Sequence, residues 1–306
     1  MRKRLTQALS PPIAPRPLPA WARPKGDTFE SVDAAFLAGA ALAAIDARVR
    51  AEAPFAGLWR SRLALRAAVA HARLVGRRES EGDLRDGHAL GAPGDAVSGA
   101  AGGILRGWRL LVHRSTGINA RLIDEVAAEF GLNMPDALTD IFRVAESALG
   151  EERPPLRSAA HVLAHVRRHH PRAEFLGLWL ADAILAQKLR WSIPLPLLVS
   201  GLGRRNAPGD EFGQIAIGYA RAAAAAVDLH GELTRRAESL IAAAPILRAK
   251  GAGAVVTALL DDDALAPASR LGGMSDRGMR RLCDRLVALG AVRELTGRST
   301  FRLYGL

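Results

Sequence analysis

Between Gln214 and Ala244 the chain reads "QIAIGYARAAAAAVDLHGELTRRAESLIAAA", a proline-free run dominated by alanine. Only a long helix accommodates it, because alanine is the best helix former and strands draw on β-branched and aromatic residues. Pro245 marks its end. The rest of the chain agrees with this class: aromatics make up 5% of it, and no repeat of fixed period appears. At 306 residues there is room for roughly two domains, each with a core of its own. The expected fold is mainly α.

Helices are predicted on either side of that run. One starts at Thr28 or Ser31, either of which is a good cap, and stops before Pro54. A second, "GLWRSRLALRAAVAHARLVGR", places Leu58, Leu63, Leu65, Val69 and Leu74 close to helical spacing as core residues. The stretch from Glu79 to Gly103 reads as a mobile connection, with "EGDLRDGHAL" as a short helix inside it. Further helices are expected in "ILRGWRLLVHR", "NARLIDEVAAEFG", "MPDALTDIFRVAESAL" and from Ser158 to just before Pro171, with Gly117, Gly131 and Gly150 as stops. The segment "AEFLGLWLADAILAQKLRW" is the most apolar. Its lipid-like part is about half the length a membrane span needs and carries Asp182, so it reads as a buried helix of a soluble protein.

Charge is concentrated at the two ends. Residues 1–26 hold six Lys/Arg and no acid, residues 270–306 hold eight Arg against three acids, and the residues between are neutral overall. A field gathered in this way points to an anionic partner. Residues 1–27, interrupted by six prolines, read as a disordered basic tail rather than a signal peptide. Cys283 is the only cysteine, which excludes an internal disulfide and fits a reducing cytoplasm.

Catalytic signatures are absent: there is no nucleophile elbow and no His-Glu zinc helix. His161, His165 and His169 lie at four-residue steps and share a helix face. No Cys, Asp or Glu lies at matching spacing, so a solvated histidine face is favoured over a metal site. "GLGRRNAPGDEFG", Gly201 to Gly213, lacks the Gly-Lys-Ser/Thr ending of a P-loop and reads as a surface loop rather than a phosphate site. Asp182 reads as a buried carboxylate bonded to backbone, with its pKa raised. No cofactor, metal or catalytic residue is expected, and the chain is expected not to be an enzyme.

The closing stretch, "RRLCDRLVALGAVRELTGRSTFRLYGL", is the most informative. Ser275 and Gly290 bracket a helix of about four turns. Met279, Leu282, Cys283, Leu286, Val287 and Leu289 fill one arc as core, while Arg277, Arg280, Arg281 and Arg285 fill the other with Asp284. Beyond Gly290 a β-hairpin is predicted, turning on Gly297-Arg298, so that Arg298 and Arg302 add to the basic surface. With "GAVVTALLDD" before it, this is the element order of a winged helix, whose third helix can enter the major groove. Pro267, inside the expected second helix, and the negative charge of Asp261 to Asp263 weigh against DNA.

Through "AGAALAAIDARVR", "LWRSRLALRAA", "LWLADAILAQKLRW", "LRAKGAGAV" and "LGAVRELTGRSTFRLYGL" the chain resembles an alphaproteobacterial family, domain-of-unknown-function family 1403, over most of residues 32–306. That resemblance implies no particular reaction. The run "LVALGAVRELTGRSTFRLY" is also similar to the C-terminal winged helix of Fic-domain proteins. "TRRAESLIAAAPILRAK" looks like the helix leading into that module, and "RLALRAAVAHARLVGRRES" resembles their inhibitory helix. The Fic catalytic segment, His-Pro-Phe followed by Gly-Asn-Gly-Arg, is matched by neither "RHHPRAEFLG" nor "GLGRRNAPGD", so no catalytic role carries over.

The expected organisation is a tail at 1–27, an all-α domain at 28–244 and a winged helix-turn-helix at 245–306. The expected function is binding of double-stranded DNA, in a regulatory or plasmid-associated role in the cytoplasm. The rival expectation is a non-catalytic module, or a degenerate Fic-like protein, whose winged helix is structural and whose partner is a second copy or another protein.

Overall fold

The computed structural model describes residues 16–26, 29–90, 99–113, 117–202, 210–267, 271–298 and 301–306. Among them are twelve α-helices and one two-stranded antiparallel sheet, so the protein is mainly α with a C-terminal hairpin. The helices are α1 (Ser31–Ala51), α2 (Ala56–Leu74), α3 (Glu81–Leu90), α4 (Gly99–His113), α5 (Ala120–Glu129) and α6 (Pro135–Gly150). There follow α7 (Pro155–His169), α8 (Glu174–Lys188), α9 (Leu198–Gly201), α10 (Glu211–Ala243), α11 (Ala252–Asp261) and α12 (Asp276–Ala288). The strands are β1 (Arg293–Glu294) and β2 (Tyr304–Gly305). No described helix is long and apolar enough to cross a membrane.

Two compact units result. One takes in residues 18–50 and 63–227, the other residues 51–62 and 228–306. In the first, α8 is the centre, packed by α4, α5, α6, α7 and α9, and every residue from Leu176 to Ala186 is buried. Asp182 lies within that run. Its carboxylate accepts hydrogen bonds from the amides of Leu197 (2.8 Å) and Leu198 (3.2 Å), where the chain enters α9. Burial pushes its carboxyl up to about 8, against the lowering effect of those bonds. The expectation for this residue holds. Gly201 on α9 lies against Gly218 on α10 so closely that a Cβ would sit 1.9 Å from the Gly218 carbonyl oxygen. The two helices meet backbone to backbone there.

Local signals decide several boundaries. Ser80 and Asp83 cap α3 reciprocally, the Asp83 amide donating to Ser80 Oγ (3.2 Å) and the Ser80 amide to Asp83 Oδ2 (2.8 Å). Asn119 caps α5 by accepting from the Leu122 amide at 2.9 Å. Of the three expected glycine stops, Gly131 has the left-handed φ of +70° that ends α5; Gly117 and Gly150 do not adopt positive φ. α7 begins at Pro155, three residues before Ser158, because proline suits the first helical turn.

Other expectations are corrected. Leu74 is 37% exposed rather than core, since α2 ends there. Ser31 is the first residue of α1, not its cap, and its hydroxyl donates to Asp210 Oδ2 at 2.6 Å. Asp210 in turn accepts from the Gly213 amide, so the start of α10 already carries a carboxylate. Residues 203–209 of that segment, Thr28 and residues 1–15 of the tail lie outside the described residues. Within the proline-rich stretch, Leu18 and Ala22 are buried, and Arg23 Nε donates to the Leu18 carbonyl at 3.3 Å.

Candidate nucleic-acid interface

α12 is bounded as its end residues dictate. Ser275 Oγ accepts from the Gly278 amide (3.2 Å), and Gly290, at φ +68°, closes the helix while the Ala291 amide reaches back to the Leu286 carbonyl (3.0 Å). Met279, Leu282, Cys283 and Leu286 are buried, whereas Val287 and Leu289, expected in the same arc, are 38% and 37% exposed. They lie at the two edges of that arc, on either side of the fully buried Leu286. Burial pushes the Cys283 thiol up to about 11, with Asp284 adding to the effect, so it stays protonated and inert.

The opposite face carries the charge. Arg277, Arg280, Arg281 and Arg285 are all exposed, and their spacing of three, four and eight residues puts them in one arc. Asp284 interrupts that arc. Arg302 lies 3.8 Å from its Oδ1, and the Tyr304 hydroxyl donates to the same oxygen at 3.3 Å, which ties the hairpin to α12.

The hairpin departs from the expected two-residue turn. Glu294 pairs with Tyr304 and Arg293 with Gly305, and the Leu295 amide donates to the Leu303 carbonyl (2.8 Å), so the connection is a longer loop. Residues 299–300 of it lie outside the described residues. Gly297 does take positive φ, at +63°. The loop is organised by Glu294, which accepts from the amides of Thr296 (2.8 Å) and Gly297 (2.9 Å) and from the Thr296 hydroxyl. Partial burial would raise this carboxyl, but those bonds outweigh it and hold it below the usual carboxylate range. Arg298 and Arg302 are exposed on the loop, with Arg302 Nε donating to the Arg298 carbonyl at 3.1 Å. All six arginines singled out in the sequence are therefore solvent-facing.

A third extended segment joins the sheet. The Leu265 amide donates to the Tyr304 carbonyl (2.8 Å) and the Tyr304 amide to the Leu265 carbonyl (2.9 Å), on the side of β2 away from β1. The expected second helix is not formed among the described residues here. Leu271–Gly273 makes a 3-10 turn instead, and residues 268–270 lie outside the description. Pro267 and the paired glycines disfavour an α-helix at this point. Asp263, which had weighed against an anionic partner, is buried and ion-paired with Arg62 of α2. That arginine also donates to the Leu306 carbonyl at 3.0 Å.

Three arginines escaped the sequence reading. Arg235 and Arg236 on α10, with Arg293 on β1, line a cavity of about 450 Å³ with Glu232, Ser239 and Leu306. Arg236 pairs with Glu232 one turn away. Nothing local marks α10 as a neighbour of the hairpin, because residues nearly sixty positions apart are brought together only by the fold.

The family described as Protein of unknown function (DUF1403) matches residues 7–306. The chain belongs to that family. No curated protein matches it.

Proposed function

We propose that this DUF1403 protein binds duplex DNA through the arginine face of α12 and the β1–β2 loop, in the manner of a winged helix and in a regulatory or plasmid-associated role. The observation that carries this reading is the exposure of Arg277, Arg280, Arg281 and Arg285 along one face of a helix whose other face is core. Supporting it is the order of elements: α11, the Leu265 strand residue, a short turn, α12, then a hairpin whose second strand lies between the first and Leu265. The likeness of the closing run to Fic-protein winged helices points the same way. Phosphate contacts of this kind release counterions, so affinity falls steeply with salt. The test is fluorescence anisotropy of the full chain on duplex DNA over a salt series. Micromolar or tighter binding at low salt is expected, with Arg281→Ala and Arg298→Ala each reducing the salt slope by about one unit. Binding weaker than millimolar, or indifferent to both substitutions, sinks the proposal.

One observation favours the rival, a protein partner. Phe301 is 72% exposed on the loop and held at φ +56°, an unusual posture for a bulky residue. A protein contact would lose most on Phe301→Ala and little on Arg281→Ala, the reverse of the DNA pattern.

A further inference from the structure

Away from the arginine face, in the helical unit built around α8, three potential ligands from two helices converge. Asp140 is on α6, His165 is on α7, and His170 is the residue that ends α7, with φ −135° and ψ 58°. His165 Nε2 lies 2.7 Å and His170 Nε2 2.9 Å from the same oxygen, Asp140 Oδ2. No two of the three ligand atoms are more than 4.8 Å apart. The other carboxylate oxygen, Oδ1, is held by Arg143 at 2.6 Å, which fixes the plane of the carboxylate and leaves Oδ2 for the imidazoles. The three side chains are 20%, 19% and 30% exposed for His165, His170 and Asp140, so the cluster is shielded yet reachable.

We propose that Asp140, His165 and His170 bind a divalent first-row transition-metal ion, with solvent or a small ligand completing its coordination. Two imidazole nitrogens and one carboxylate oxygen are a donor set such ions prefer over Mg²⁺ or Ca²⁺. The spacing suits it. With metal–ligand bonds of about 2.0–2.1 Å, tetrahedral ligand atoms stand about 3.3 Å apart, so each imidazole nitrogen has to draw back from Asp140 Oδ2 by roughly half an ångström to admit an ion. Arg143 on Oδ1 is the kind of outer contact that orients a ligating carboxylate, although its charge also moderates affinity. On the exposed side His169 packs against His165, ring centroids 4.6 Å apart, whereas His161, one helical turn before His165, is outside the cluster.

The decisive experiment titrates the untagged, metal-stripped full chain with Co²⁺ and Zn²⁺, reading the Co²⁺ visible absorption bands and the heat of Zn²⁺ binding. One equivalent should bind with a micromolar or tighter Kd, and Zn²⁺ should bleach the Co²⁺ bands. His165→Ala, His170→Ala and Asp140→Asn should each weaken binding at least tenfold, while His161→Ala leaves it unchanged. Circular dichroism of each variant separates loss of a ligand from loss of fold, and the wild-type titration stands independently of the variants. No saturable Co²⁺ or Zn²⁺ binding by wild type, or a loss in His161→Ala equal to that in His165→Ala, overturns the site and leaves the cluster as a hydrogen-bonded tie between α6 and α7.

Discussion

α8 and α12 are of similar length, fifteen and thirteen residues, and opposite in what they do with charge. α8 buries its whole circumference from Leu176 to Ala186, and its one ionisable residue there, Asp182, is turned inward onto two backbone amides. α12 buries a single stripe and turns four arginines outward. A helix buried all round can use a polar group only to satisfy another buried group, so Asp182 serves architecture. A half-buried helix is free to present charge, so the α12 arginines are available to a partner at little cost in stability. Removing the Asp182 carboxyl from α8 should therefore harm the fold and spare binding, and removing arginine charge from α12 should do the reverse.

The largest expected effect is Asp182→Ala. It leaves the Leu197 and Leu198 amides without their acceptor in the core and opens a small cavity, costing on the order of 2–4 kcal/mol in urea denaturation. Wild-type stability in this region should also depend on pH in a particular direction. The native carboxyl titrates at about 8 and the unfolded one at about 4, so the native state binds more protons between those values. Stability should decline as pH rises through that window and level off above it. Asp182→Asn, which cannot ionise, should flatten that decline; an unchanged slope would mean that Asp182 is not the group responsible.

Next in size is Gly290→Val. A β-branched residue at φ +68° is strained, and about 1–3 kcal/mol of stability should be lost, read as a lower Tm. An unchanged melt would remove the glycine stop from the account of α12. Arg281→Ala should leave the Tm within about a degree of wild type, consistent with a surface site, while reducing the DNA salt slope by about one unit. A large drop in Tm with unaltered binding would invert the comparison between the two helices. Smallest is Asp284→Asn. It removes a carboxylate from the middle of the arginine face and should tighten DNA binding a few-fold at low salt, an effect that fades as salt is raised. Weaker binding would show that the bonds of Asp284 to Arg302 and Tyr304, which hold the hairpin to α12, matter more than its charge.

Much of the fold was legible in the chain because helix-forming signals are local. Asn119, Ser275, Gly131 and Gly290 act on amides and carbonyls three to five residues away, and the arginine stripe of α12 follows from 3.6 residues per turn. The arginine face was readable for the same reason. Errors gathered where a local rule had more than one outcome. The turn at Gly297 had the right residue but the wrong loop length, since Glu294 recruits the loop amides and moves the strand pairing outward. Val287 and Leu289 obeyed the helical period, yet the core does not extend over them.

The sequence by itself determined most of the helices, the stops at Gly131 and Gly290, the inward placement of Asp182 and the outward placement of the arginines. It did so because each depends on spacing along the chain. Tertiary structure alone decided which distant groups meet. Leu265 pairs with Tyr304, Asp263 meets Arg62, and Asp140 draws in His165 and His170. Helical spacing singled out His161, His165 and His169, but α7 ends at His169, and the non-helical backbone of His170 carries its ring to the carboxylate on α6. No periodicity reaches past the end of a helix. There the packing of one element on another chooses the neighbour.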